Sequence, residues 1–391
     1  MKKTLLAAGT LAATMAASAQ SAVTLFGVVD ASLSGYTSTS ESRTGASVKV
    51  SRTVLANGAY NSSRLGFRGM EDLGGGLGAG FWLESPMTND DGAANLMFSR
   101  RSTVSLTGAF GEVRAGRDNI PTFWNDNVYD PFGTNGVGAN LIFAAANLNT
   151  TGGVGGFGGN LNNIRSSNSV AYFLAPNLGG FYGQVQYGLP ETTQYDPGVL
   201  TPVVANNART GRYLGGRLGY LSGPFDIAIA AGNSTVGDNY FAGSTDSVKT
   251  LNMGASYDFG VVKLMGEVSR VTNGRDFDGR FIVPPRAVPD TDLNGYLVGF
   301  TAPIGPALIR GSYSHVTYDY NIPGKVDASA GKLALGVVYN LSKRTALYSS
   351  IARVNNKNGA ALTVGSAPFV NNTTFTPKNS TGYDIGMRVA F

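Results

Sequence analysis

Apolar and polar residues alternate one by one along much of this chain, in stretches of roughly 8–14 residues bounded by turn signals. The last stretch is the clearest. Tyr383, Ile385, Met387, Val389 and Phe391 fall on one face, and Asp384, Gly386, Arg388 and Ala390 on the other. Leu77, Ala79, Phe81 and Leu83 oppose Gly78, Gly80, Trp82 and Glu84 in the same way, and Leu333, Leu335 and Val337 oppose Lys332 and Ala334. Val262, Leu264 and Val268 oppose Lys263, Met265 and Glu267. A period of two marks strands with unlike faces. A soluble sandwich strand rarely ends on an exposed phenylalanine with an arginine in the middle of its other face. A strand with lipid on one side and water on the other accommodates both.

The connections sort by length. Short turns occur at DLGGGL (72–77), TGAFGE (107–112), APNLGGF (175–181), LSGPF (221–225), YDFGVV (257–262), APIGPA (302–307) and YNLSKRT (339–345). Between them lie longer polar connections near 37–61, 86–97, 118–166, 189–210, 233–247, 273–291, 319–330 and 355–379. Seven short and eight long connections join sixteen strands. The fold class expected is all-β, a 16-stranded antiparallel transmembrane β-barrel. Such a barrel is too wide for side chains to fill and encloses an aqueous channel.

Composition agrees. The 391 residues are 14% charged and include 54 glycines, against about 25% charged and about 7% glycine in soluble domains. A mean hydropathy of −0.02 excludes several apolar helices of about 20 residues. Aromatics make up 10% of the chain, which disfavours disorder. Lys2 and Lys3, the apolar run Leu5 to Ala16, and Ala17-Ser18-Ala19 read as a secretory signal peptide over 1–19, leaving 20–391 as the barrel domain. Without Lys2 and Lys3 there are 28 basic residues against 25 acidic ones, a balance that gives no reason to expect nucleic acid as a partner. There is no cysteine, so an exported chain must draw its stability from backbone pairing.

The third long connection, 118–167, is the longest and the one expected to fold into the lumen and constrict it. It opens with RDNIPTFWNDNVYDPFGTNG and continues through the glycine run GGVGGFGG (152–159). Arginines dominate the inward parity: Arg64 and Arg68 oppose Leu65 and Phe67, Arg101 and Arg114 follow, then Arg217 and Arg388. Asp30, Glu84, Glu112 and Glu267 interrupt that face, and Asp118, Asp126 and Asp130 fall in the long connection. Charges of both signs across a narrow water path set up a transverse field, here with a mild anion preference.

AVTLFGVVDASLSGY (22–36), SSRLGFRGMEDLGGGLGAGFWLES (62–85), RRSTVSLTGAFGEVRAGRD (100–118), YNLSKRTALYSS (339–350) and the terminal aromatic resemble β-proteobacterial general porins of the neisserial type. The resemblance implies a homotrimer in the Gram-negative outer membrane, in contact with its lipid and lipopolysaccharide. Each subunit would hold one pore, narrowed by the third loop and open to small hydrophilic solutes and anions. Anion-selective members carry an arginine cluster at the constriction. Its matching positions are Arg64, Arg100 and Arg165 in NNIRSSNS. Alternation from Val104 and Leu106 puts Arg101 inward and Arg100 outward, so a bulge or loop start is needed to bring Arg100 in. The ending from Tyr383 to Phe391 resembles the signal read by the barrel-assembly machinery.

Other motifs are weak. Gly153, Gly155 and Gly158 match G-x-G-x-x-G without the strand and helix that a phosphate cradle needs. NDDG (89–92) and DFDG (276–279) lack the closing glutamate of a calcium loop. The single histidine, His315, has outward parity, and no G-x-S-x-G occurs, so neither an enzyme, a metal site nor a cofactor is expected. A passive general diffusion channel leads. A substrate-specific channel for small anions or carboxylates is the alternative, and a non-conducting adhesin, phage receptor or enzyme is the third class.

Overall fold

The computed structural model describes residues 23–93, 96–147, 162–192, 209–239, 244–274 and 290–391. The expected signal peptide, the glycine run 152–159 and DFDG (276–279) lie outside the described residues. The strand segments are β1 (Thr24–Ser42), β2 (Ser47–Asn57), β3 (Arg64–Gly74), β4 (Leu77–Pro86), β5 (Arg101–Gly108), β6 (Gly111–Asn119), β7 (Arg165–Phe173), β8 (Phe181–Gly188) and β9 (Tyr213–Ser222). They continue with β10 (Phe225–Asn239), β11 (Ser244–Asp258), β12 (Lys263–Gly274), β13 (Thr291–Ile304), β14 (Ala307–Asp319), β15 (Ala328–Asn340), β16 (Thr345–Lys357) and β17 (Phe375–Ala390). β2 pairs with Ala31–Glu41 of β1, and β3 pairs with Thr24–Val28 of the same strand. The two are halves of one wall strand, and the wall has sixteen. Sequence neighbours pair antiparallel throughout, and β1 against β17 closes the sheet from Val28↔Ala390 to Ser42↔Phe375. Closure satisfies every strand and leaves no edge.

The two faces follow the alternation. Leu33, Leu251, Val268 and Ile385 are exposed on the outside, whereas their chain neighbours Ser34, Asn252, Glu267 and Asp384 are buried inside. The short turns lie where expected. The expected long connections near 37–61 and 233–247 are corrected: β1 and β2 leave only residues 43–46 between them, and β10 and β11 pair out to Asn239↔Ser244. Beyond the hydrocarbon, water wets both faces of a strand. A Ser/Thr-rich stretch there loses its alternation and reads as loop.

Residues 58–63 interrupt the second wall strand. Gly58 takes a positive φ of 76°, which a side chain rarely tolerates. The break then wraps around the buried carboxylate of Asp30, which accepts the N–H groups of Tyr60 (3.1 Å) and Asn61 (2.6 Å) and the hydroxyl of Tyr348.

The third long connection spans 120–164 rather than 118–167, because β6 reaches Asn119 and β7 restarts at Arg165. It begins with helix α1 (Pro121–Val128), where Pro121 supplies a preset φ for the first turn. A 3-10 turn (Gly136–Gly138) and helix α2 (Leu141–Asn147) follow. Inward-facing wall residues hold it. Asn252 donates to the Thr122 carbonyl and to Asp126 Oδ1, both at 3.0 Å, and Arg217 Nε donates to Asn125 Oδ1 at 2.7 Å. Farther on, Asp384 accepts the Val137 N–H (2.8 Å), and Lys332 Nζ donates to the Ala139 carbonyl (2.6 Å). The described part of the connection therefore runs along the inside of the wall.

The inner face is not polar throughout. Leu293, Leu297, Val316 and Val354 point inward and are buried beneath Leu141 and Ile142 of α2 and Leu362 and Val364 of the last long connection. An apolar strip inside the barrel keeps water away from the contact, which lets these segments dock by burial as well as by hydrogen bonds.

Candidate functional site

A cavity of about 620 Å³ lies between the inner wall and the third connection. The wall and the break in the second strand bring Arg64, Arg100, Arg101 and Arg165 to it, and Arg310 reaches it from β14. Glu84, Asp118 and Asp130 also line it. Five guanidinium groups against three carboxylates leave an excess of two positive charges.

The arginines differ in how they are held. Arg64 donates to Asn61 Oδ1 (2.9 Å) and to the Ser62 carbonyl (3.1 Å), and lies 3.7 Å from Glu84. Arg100 precedes β5; its own N–H bonds the Glu84 carbonyl (3.1 Å), and its Nε bonds the Glu84 carboxylate (2.5 Å). The loop start before β5 thus supplies the inward turn that alternation alone could not. Arg101 lies 3.7 Å from Asp118 and 4.4 Å from the centre of the Trp82 ring. Arg165 has no ion pair among the described residues, and its buried Nε has no hydrogen-bond partner.

Two expected members are elsewhere. Arg68 is exposed, with its guanidinium over Phe26 (5.5 Å) and Trp82 (5.1 Å). Arg114 is held between Glu112 (2.8 Å) and Asp118 (2.5 Å) over the Phe173 ring. Neither lines the cavity. Both obey inward parity, but parity does not say at what height along the wall a side chain sits.

The acids expected on the long connection are also redistributed. Asp118 belongs to β6 and bridges Arg101 and Arg114. Asp126 turns to the wall, bonded to Asn252 and facing Glu267, and burial pushes its carboxyl up to about 6. Asp130 accepts the N–H groups of Phe132 (2.9 Å), Thr134 (3.1 Å) and Asn140 (3.1 Å), as well as Asn140 Nδ2 (3.0 Å). Burial raises its carboxyl too, despite these donors. Two of the three acids therefore fold the connection. Of the three acids that line the cavity, Glu84 and Asp118 pair with its arginines, and Asp130 is held by N–H groups of its own segment.

Arg310 escaped the sequence reading. It is 2% exposed, stacked on Phe132 (4.4 Å) and Tyr60 (4.9 Å), and donates to Ser350 (3.2 Å). Its inward parity, opposite to Tyr313 and His315, was a usable signal. His315 itself stacks on Tyr296 at 5.6 Å. Of the residues expected in the assembly signal, Tyr383 and Phe391 are both exposed on the outside, and their rings lie over Gly35 and Gly27.

Residues 4–359 match the family of Gram-negative porins. Outer membrane porin protein 32 of Delftia acidovorans is 36% identical over 392 residues, covering all of both chains. Major outer membrane protein P.IA of Neisseria meningitidis is 28% identical over 86% of this chain and 90% of that one. The solved anion-selective porin from Comamonas acidovorans superposes with a TM-score of 0.73 at 34% identity, over 95% of this chain and 100% of that one. OmpT of Vibrio cholerae, solved in a trimer form, matches at a TM-score of 0.61 and 14% identity over 95% and 99% of the two chains, which speaks for the fold alone. With its closed sixteen-strand wall and apolar exterior, the chain belongs to the Gram-negative porin family and is an integral β-barrel of the outer membrane.

Proposed function

We propose that this porin is a homotrimeric general diffusion channel in which residues 120–147 narrow each bore and Arg64, Arg100, Arg101 and Arg165 favour anions. The observation that carries the reading is the excess of arginine over carboxylate around one water-accessible cavity. In a narrow path with low-dielectric walls such an excess raises the local anion concentration. Solutes pass down their gradient unchanged, so no residue is asked to do chemistry. The likeness to a solved porin described as anion-selective supports the sign. The trimer, the 1–19 signal peptide, contact with lipopolysaccharide and the use of Tyr383 and Phe391 by the assembly machinery rest on the family resemblance.

The test is the reversal potential of the purified protein in a planar bilayer under a KCl gradient. We expect an anion-directed potential and conductance steps in multiples of three. Arg64→Ala combined with Arg165→Ala should move the potential towards the cation side; an unmoved potential would refute the assigned cluster. A cation-directed potential in the parent protein would overturn the anion preference itself.

A further inference from the structure

We infer that the constriction binds aromatic carboxylates in preference to aliphatic ones. The inference rests on the anion-channel reading and names a solute class for the same cavity. Its first support is what the third connection contributes to the cavity lining. Asn125 and Asp126 face the wall, and Asp130 is held by backbone N–H groups of its own segment. Asn127 and Asn135 direct their amides to the Gly133 carbonyl, at 2.8 and 2.6 Å. With these polar groups engaged, Phe123, Trp124, Pro131 and Phe143 make an apolar, ring-rich side of the cavity.

The second support is that Arg165 and Arg310, both in that lining, have no ion pair among the described residues. The Phe123 and Phe143 rings are 5.6 Å apart, and Ile164 packs against the same small cluster. Ile164 is the residue immediately before Arg165, whose buried Nε has no partner. One cavity lining thus holds both aromatic side chains and guanidinium groups able to take a carboxylate. Aromatic rings gain by packing on one another, and a guanidinium stacks as well as pairs. The cavity, about 620 Å³, is within the size range of sites that hold ring-sized ligands.

Acetate would satisfy only the cation. Benzamide would satisfy only the rings. Benzoate would satisfy both.

The experiment is block of single-channel chloride current by graded benzoate, acetate and benzamide. Benzoate is expected to reach half-block at a concentration at least tenfold below acetate, with benzamide ineffective over that range. Trp124→Ala should bring benzoate to within about twofold of acetate. Arg165→Gln should weaken both carboxylates and keep their ratio. Equal half-block by benzoate and acetate in the parent protein would overturn the inference, and a concurrent anion-directed reversal potential would leave the general channel reading intact. A cation-directed potential would remove the reading on which the inference rests.

Discussion

The Phe391 ring fills the place where a side chain at Gly27 would sit. A Cβ added there would stand 2.3 Å from the ring and 2.8 Å from the Arg64 carbonyl, while the two residues exchange backbone hydrogen bonds of 3.0 Å in both directions. β1 and β17 close the barrel here by interlocking as well as by pairing. Tyr383 repeats the arrangement over Gly35.

Gly27→Val should therefore loosen the seam. Overpacking of this kind costs about 1–3 kcal/mol. The temperature at which the barrel unfolds during graded heating in detergent should fall. An unchanged midpoint would mean that the Phe391 ring swings outward at no cost.

The arginines should differ in weight. Arg165 lines the cavity without an acid partner among the described residues, whereas Arg114 does not line it and is paired with both Glu112 and Asp118. Arg165→Gln should shift the KCl reversal potential clearly towards cations, and Arg114→Gln should leave it nearly in place. Comparable shifts would show that total wall charge, rather than the cavity cluster, sets the selectivity.

The Asp126 contact makes docking of α1 pH-dependent. Its carboxyl faces Glu267 and Asn252, with the charge of Asp130 nearby, and is raised from 3.8 to about 6. A raised carboxyl favours the docked state fully below pH 4. That contribution is lost as pH climbs from 4 through 6, by up to about 3 kcal/mol, and then stays level. Hydrogen exchange of residues 121–128 should be slower at pH 4 than at pH 7 after correction for intrinsic rates. Asp126→Asn should flatten the difference and protect the helix at pH 7. The same pH slope in both proteins would discard this origin.

Asn252 is the hinge of the same contact from the wall side. Asn252→Ala removes its bonds to the Thr122 carbonyl, Asp126 Oδ1 and Asn125 Nδ2, and a buried polar group left without a partner costs about 1–3 kcal/mol. Open-channel current noise should rise while the unfolding temperature of the barrel falls little, because the pairing of β11 with β10 and β12 remains. Unchanged noise would show that α1 is held by its other contacts alone.

The wall was legible in the sequence because its cause is local. Lipid on one side and water on the other demand period 2 from each strand by itself, and short turns separate strands with no reference to the rest of the chain. The same logic found the inward arginines, and the family resemblance singled out Arg64, Arg100 and Arg165. What tertiary structure decided depends on residues far apart in the chain. Asp126 meets Asn252 126 positions away, which removes its charge from the bore. Asp30 collects the break at 58–63 and so carries Tyr60 and Arg64 to the cavity. Arg310 arrives from β14, and the apolar strip around Leu293 and Leu297 has meaning only beneath α2. A strand's alternation says which way a side chain points. Only the closed barrel says what stands in front of it, because hydrogen bonding and burial are settled between partners and not within a segment.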